Sequence, residues 1–184
     1  MLQKIQLRKK YISLRKKKYY DIEKNFFLPL IRIIRLKFKK KSPKIAIYYP
    51  YNFELNVLKI LEYNYILSQD ILLPVINKKN FMNFFSWKKN KVLFVNKFGL
   101  LEPAKTQAKV PDVILVPILA FDNSKYRLGY GKGFYDRYLN KYLKKFKNIM
   151  TVGVAFSFQR HHKLPINQND VKLDLIITEK RIYR

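Results

Sequence analysis

The spacing of apolar residues changes character near residue 42. Before it, Leu7, Tyr11 and Leu14 recur at i, i+4 and i+7, with Lys4 and Arg8 one turn apart on an adjoining face, which predicts an amphipathic first helix. A second helix is expected from Asp21, a candidate N-cap, through Ile22, Phe26, Leu30 and Ile33. Ser42 and Pro43 end this periodicity. Beyond them the apolar residues come in short runs of strand length at 45–49, 71–76, 81–85, 92–95, 113–119, 151–156 and 173–178. Several runs lack strict alternation, and helical stretches at 54–62 and 134–146 lie between them. Such runs suit strands buried on both faces, so the expected architecture is α/β with a mainly parallel sheet. The runs at 81–85 and 92–95, joined by a polar Lys-rich link, read as an added antiparallel hairpin. No internal repeat or low-complexity linker divides the chain, so a single domain over 1–184 is expected, with the basic helices of 1–42 packed on the α/β core.

Composition narrows the function classes. Of 184 residues 48% are apolar, enough to bury a core, which excludes a wholly disordered basic tail. There is no cysteine, which removes disulfides, thiolate nucleophiles and cysteine-ligated zinc together and leaves a reducing, cytoplasmic location as the expectation. The apolar stretch at 26–36 is interrupted by Pro29, Arg32 and Arg35, so no membrane span is expected. The first twenty residues carry no acid but are poor in Ser and keep their helical pattern, and are read as part of the fold. The net charge is +27, and residues 1–44 hold sixteen Lys and Arg against Asp21 and Glu23. That excess favours polyanions, whether nucleotide, polyglutamate or nucleic acid, although a compositionally biased, solvated surface would look the same. A basic, Tyr-rich α/β protein that binds RNA is therefore an open alternative on these residues, with no recognised RNA-binding signature to support it.

The glycines carry the sharpest local signal. Three of five, Gly129, Gly131 and Gly133, fall within five residues, after the run at 113–119 and directly before the helix at 134–146. Alternate glycines let a backbone approach an anion without a Cβ in the way, and the helix behind offers unpaired N–H groups. Arg127 and Lys132 add a bidentate fork and a point charge. The spacing matches neither the Walker loop nor the dinucleotide fingerprint. It reads as a phosphate cradle or, alternatively, as a plain glycine-rich turn.

The residues from Val110 to Pro117, then Ala120-Phe121-Asp122, then Tyr126 to Arg137 resemble the signature of the 5-formyltetrahydrofolate cyclo-ligase family. Further matches follow in the family's order. They are Lys4-x-x-x-Arg8, the stretch Ala46 to Glu54, Leu73-Pro74-Val75, Phe98 to Pro103, Gly153 to Phe156, Leu164-Pro165 and Asn169-Asp170-Val171. Two positions depart from it. Ile118 stands where the family commonly has Gly, and Asn169 replaces the His of a His-Asp pair.

The resemblance implies a three-layer α/β/α fold with a Rossmann-like sheet of the CoA-transferase-like kind. It implies conversion of 5-formyltetrahydrofolate to 5,10-methenyltetrahydrofolate with ATP and Mg2+, by phosphorylation of the formyl oxygen and ring closure, in a monomer that requires no nucleic acid. It assigns ATP to Lys4, Arg8, Arg127, Leu128, Gly129, Tyr130, Gly131, Lys132, Gly133, Phe134 and Tyr135, with Arg127 and Lys132 catalytic. Folate falls to Tyr49, Glu54 and the segment Tyr130 to Phe134, and magnesium to Asp136 and Asp170. On the residues alone Lys4 and Arg8 read first as surface charges on a basic helix, while Glu54 is open to reading as a helix-start acid and Asp136 as a surface partner of Arg137. Phe85 and Trp87 are expected in the core, with a folate-side wall as the other reading, and His161 and His162 are expected in a loop.

Overall fold

In the computed structural model, which describes residues 2–39, 41–77 and 81–184, the short apolar runs assemble into an eight-stranded sheet. The first half of the chain gives α1 (Leu2–Lys18), α2 (Leu28–Lys37), β1 (Lys44–Ala46), α3 (Asn64–Leu67), β2 (Asp70–Ile76), β3 (Met82–Ser86), β4 (Phe94–Val95) and β5 (Leu101–Glu102). The second gives β6 (Ala108–Lys109), β7 (Val113–Pro117), β8 (Ala120–Phe121), β9 (Arg127–Leu128), α4 (Phe134–Lys145), β10 (Met150–Val154), β11 (Leu175–Ile177) and β12 (Ile182–Tyr183).

The sheet order is β12-β11-β10-β7-β1-β2-β3-β6. The five middle strands, from β11 to β2, pair in parallel, and β12, β3 and β6 add antiparallel edges. Register follows burial: Ile45 faces Ile71 on one side and Val113 on the other. Successive residues serve opposite faces of the sheet. Ile45, Leu73, Val113, Leu115 and Val152 pack with α2 and the segment around Ile60 and Ile66, while Ala46, Leu72, Ile114, Val116 and Ile176 pack against Tyr138 and Leu139 of α4. This is the expected α/β architecture, with helices on both faces of a mostly parallel sheet.

A third, smaller cluster positions the site. Tyr11 of α1 is buried against Leu119, Ala120 and Leu128 of the β8–β9 hairpin and against Leu164, with Leu7 and Leu14 packed around it. The apolar stripe read in the sequence thus clamps the first helix over the carboxyl end of β7. Neighbours of β1 lead on to β2 on one side and to β7 on the other, so the strand order switches there. A crevice outside the carboxyl ends of strands at such a switch is where open α/β sheets bind ligands.

Three local expectations are corrected. Asp21 does not cap a helix: α2 starts at Leu28 with Pro29 in its first turn, where a missing N–H costs nothing, and Asp21 pairs with Lys59 at 2.6 Å. The segment at 54–62 is not an α-helix but a short 3-10 turn at Val57–Glu62, which buries Val57, Ile60 and Leu61. The runs at 81–85 and 92–95 do not pair with each other. β3 pairs along its whole length with the long, buried β2, and the short, exposed β4 pairs with β5.

Ile118 needs no glycine-like backbone, as it is not among the residues with positive φ. Its side chain instead fills the space beside Gly153 of β10, where an added Cβ would lie 2.5 Å from Ile118 Cδ1. The side chain gained at residue 118 therefore depends on the one absent at residue 153. Phe85 and Trp87 are buried, Trp87 with its Nε1 donating to Lys91 O at 3.2 Å, which agrees with the core reading.

Candidate active site

Between β7 and the glycine loop the chain inserts the β8–β9 hairpin, which pairs Phe121 with Arg127 and Ala120 with Leu128. The hairpin turns Arg127 inward until it is 8% exposed. Its Nη1 donates to Val171 O at 3.1 Å and its Nη2 to Asp136 Oδ1 at 2.7 Å. The guanidinium is thus fixed before any ligand arrives. Past Leu128 the backbone enters the left-handed region at Gly131 (φ 97°) and again at Gly133 (φ 66°), the residue that starts α4.

Gly131 is also a point of close approach. Arg8 of α1 lays its guanidinium over this residue, so that an added Cβ would stand 3.0 Å from Arg8 Cζ, and Arg8 Nε donates to Gly129 O at 2.9 Å. A side chain at residue 131 would face both a strained φ and a cation in its way. The first helix and the glycine loop therefore form one surface, with Arg8 at its centre.

Another wall of the cleft is built around Glu54. A turn at 51–54 presents it: Glu54 N donates to Tyr51 O at 3.1 Å, and Tyr51 N donates to Glu54 Oε2 at 2.9 Å. Inside that turn Asn52 (φ 50°) and Phe53 (φ 59°) are both left-handed, which for residues with a Cβ costs about 1–2 kcal/mol each. Glu54 is 6% exposed, and burial pushes its carboxyl up to about 7, against the opposing pull of the Arg15 guanidinium and of hydrogen bonds from Tyr51 and Tyr130. Tyr48, Tyr130 and Tyr135 share the low-polarity surroundings and have their hydroxyls raised, chiefly by burial.

All the residues that the resemblance assigns to ATP, folate or magnesium line one cleft of about 1880 Å3. Lys4 and Arg8 come from α1, Tyr49 and Glu54 from the segment after β1, Arg127 to Asp136 from β9, the loop and the start of α4, and Asp170 from the segment before β11. Lys132 is exposed at the mouth and forms no ion pair with a described residue. His161 and His162 lie outside the cleft lining, as loop residues, and His161 Nδ1 is 3.1 Å from the Tyr11 hydroxyl.

Arg15 escaped the sequence reading. It is 1% exposed, and its position was legible: residues 4, 8, 11 and 15 share one helix face, so the face that carries Lys4 and Arg8 also carries a third cation.

The two acids expected at magnesium are already engaged. Lys4 Nζ lies 2.5 Å from Asp170 Oδ2, and Asp136 holds Arg127. Among the described residues there is no group of three or more His, Asp or Glu able to hold a metal ion. The donor set does not fit a resident magnesium cage; such an ion needs oxygens from a ligand as well.

The model of the 5-formyltetrahydrofolate cyclo-ligase family matches residues 3–179 of this chain. The 5-formyltetrahydrofolate cyclo-ligase of Haemophilus influenzae is 29% identical over 147 residues, 76% of this chain and 78% of that protein. Two solved structures are similar over nearly their whole length. The 5,10-methenyltetrahydrofolate synthetase of Aquifex aeolicus is 33% identical with a TM-score of 0.75, covering 100% of this chain and 93% of the other. That of Mycoplasma pneumoniae is 27% identical with a TM-score of 0.70, covering 95% and 97%.

Proposed function

We propose, for a chain that belongs to the 5-formyltetrahydrofolate cyclo-ligase family, that the cleft carries out the ATP-dependent conversion of 5-formyltetrahydrofolate to 5,10-methenyltetrahydrofolate, with release of ADP and phosphate. The observation that carries this reading is that one cleft joins two unlike walls, a cationic glycine loop under Arg8 and a buried acid at Glu54.

The chemistry makes such a cleft sufficient. An amide-like formyl oxygen is a poor leaving group. Its attack on the terminal phosphorus of ATP expels ADP and leaves the formyl oxygen phosphorylated, so that the formyl carbon now bears a phosphate as leaving group. Nitrogen 10 of the folate then adds to that carbon, loses its proton, and phosphate departs with the former formyl oxygen as the ring closes. Each step asks the protein for alignment and for charge neutralisation, not for a covalent nucleophile.

In this assignment Lys4, Arg8, Lys132 and the backbone from Leu128 to Gly133 hold the triphosphate, with Phe134 and Tyr135 closing the loop side. Arg127 meets the charge that develops on the transferred phosphoryl group, and Lys132, free at the mouth, folds onto it. Glu54 accepts paired hydrogen bonds from the pterin edge, beside Tyr49. Magnesium comes with ATP as part of the co-substrate, and Asp136 and Asp170 are the carboxylates that would hold its water shell. We take the enzyme to act as a monomer. Among the described residues no helix is long and apolar enough to cross a membrane, and a cysteine-free chain suits the cytoplasm, where we place the enzyme.

An isotope tests the route. With the formyl oxygen labelled, the label should leave in inorganic phosphate in step with product formation; label released to water instead, with unlabelled phosphate, would contradict it.

A further inference from the structure

Arg15 is buried more deeply than any group assigned to ATP or folate above, yet none of those assignments uses it. Its guanidinium reaches three segments that are distant in sequence. Nη2 donates to Asn52 O at 2.5 Å and to the Tyr130 hydroxyl, and Nη1 points to Ile118 O at 3.4 Å. The Tyr130 ring lies under the same cation, 5.4 Å from centroid to Cζ, and its hydroxyl, held by Arg15, favours the ionised form of Glu54.

We propose that Arg15 is a positioning residue for the folate side of the cleft: through Asn52 it holds the left-handed turn that presents Glu54, and through Tyr130 it ties that turn to the glycine loop. The proposal rests on the assignment of Glu54 to folate.

Two features call for such a group. Asn52 and Phe53 are held in a conformation that side chains disfavour, and strain of this kind persists only where surrounding contacts fix it. The contact that fixes it here comes from the carbonyl of Asn52, outside the turn's own hydrogen bonds. Second, among the described residues the titratable groups that interact electrostatically with Glu54 are Arg15 from α1, Tyr48 after β1, Tyr130 from the loop and Tyr135 from α4, and of these Arg15 alone is a cation. A planar fork satisfies an acceptor on each of two segments at a set separation, which a lysine cannot do.

Arg15→Met should raise the KM for 5-formyltetrahydrofolate about tenfold, more than it raises the KM for ATP. It should also move the ascending limb of kcat/KM for folate to higher pH, since the cation that favours ionised Glu54 is gone. A folded Arg15→Met protein with unchanged folate KM and an unmoved limb would overturn the proposal. Should that variant not fold, Tyr130→Phe breaks the link at a surface ring: a raised folate KM with the same direction of pH shift supports the proposal, and parent values for both overturn it. Glu54→Gln is the control for the underlying assignment. A parent folate KM in that variant would contradict the placing of folate at Glu54, and the proposal with it.

Discussion

Arg127 and Asp136 form a 2.7 Å ion pair in the wall of the cleft, with the arginine side chain 3% exposed and the aspartate 26%. The asymmetry separates function from stability. Arg127→Ala leaves a carboxylate that water can reach, so the fold survives, while kcat should fall about 100- to 1000-fold, as for removal of a donor to transition-state charge. Asp136→Ala leaves a buried guanidinium without its counter-ion and should cost about 3 kcal/mol of stability by urea unfolding. A larger loss of stability from Arg127→Ala than from Asp136→Ala would contradict the account.

Gly131 and Gly129 are two residues apart and should respond in opposite ways. Gly131→Ala must place a methyl at φ 97°, 3.0 Å from Arg8 Cζ, and should raise the KM for ATP about tenfold. Gly129→Ala meets nothing within 4 Å at its Cβ and should leave the KM for ATP within about twofold of the parent. Equal effects in steady-state kinetics would remove Arg8 from the nucleotide surface.

Glu54 gives a pH signature. It keeps its proton up to about pH 7 in the folded chain and to its ordinary value of 4.5 when unfolded, so between those values the folded state binds the extra proton. The stability that this supplies is fully present below about pH 4.5 and is lost as pH rises through about 7. Glu54→Gln removes the dependence. Urea unfolding at pH 4.5 and pH 8 should therefore show the variant gaining on the parent by roughly 3 kcal/mol with rising pH, and a constant difference would refute the buried, proton-holding carboxylate.

Chelation separates a metal that arrives with the nucleotide from one that the fold requires. Excess EDTA should abolish turnover while equilibrium binding of 5-formyltetrahydrofolate stays within about twofold, because the described residues build no metal cage. Loss of folate binding in EDTA would place magnesium inside the folate site.

The residues explain what could be read beforehand and what could not. The strands at Val113–Pro117 and Met150–Val154 are buried on both faces and carry almost no polar side chain, so their runs announce a central parallel sheet. The glycine loop was legible for the same kind of reason, since three glycines beside Arg127 and Lys132 have few structural uses. The β8–β9 hairpin was not, because two-residue strands carry no period to detect, yet it is what turns Arg127 inward. The engagement of Lys4 by Asp170 joins residues 166 apart, and nothing local marks it. Nor does local pattern mark the left-handed pair at Asn52 and Phe53, where a phenylalanine stands against its own preference under the hold of Arg15.

The central claim is that one cleft joins ATP to 5-formyltetrahydrofolate and closes the ring. Its most direct test is the absorbance of the methenyl product when the purified protein is mixed with 5-formyltetrahydrofolate and magnesium, with and without ATP. The account predicts a rise that needs both protein and ATP and is lost in Arg127→Ala. A folded protein that binds ATP and gives no rise, or a rise that persists without ATP, would contradict it.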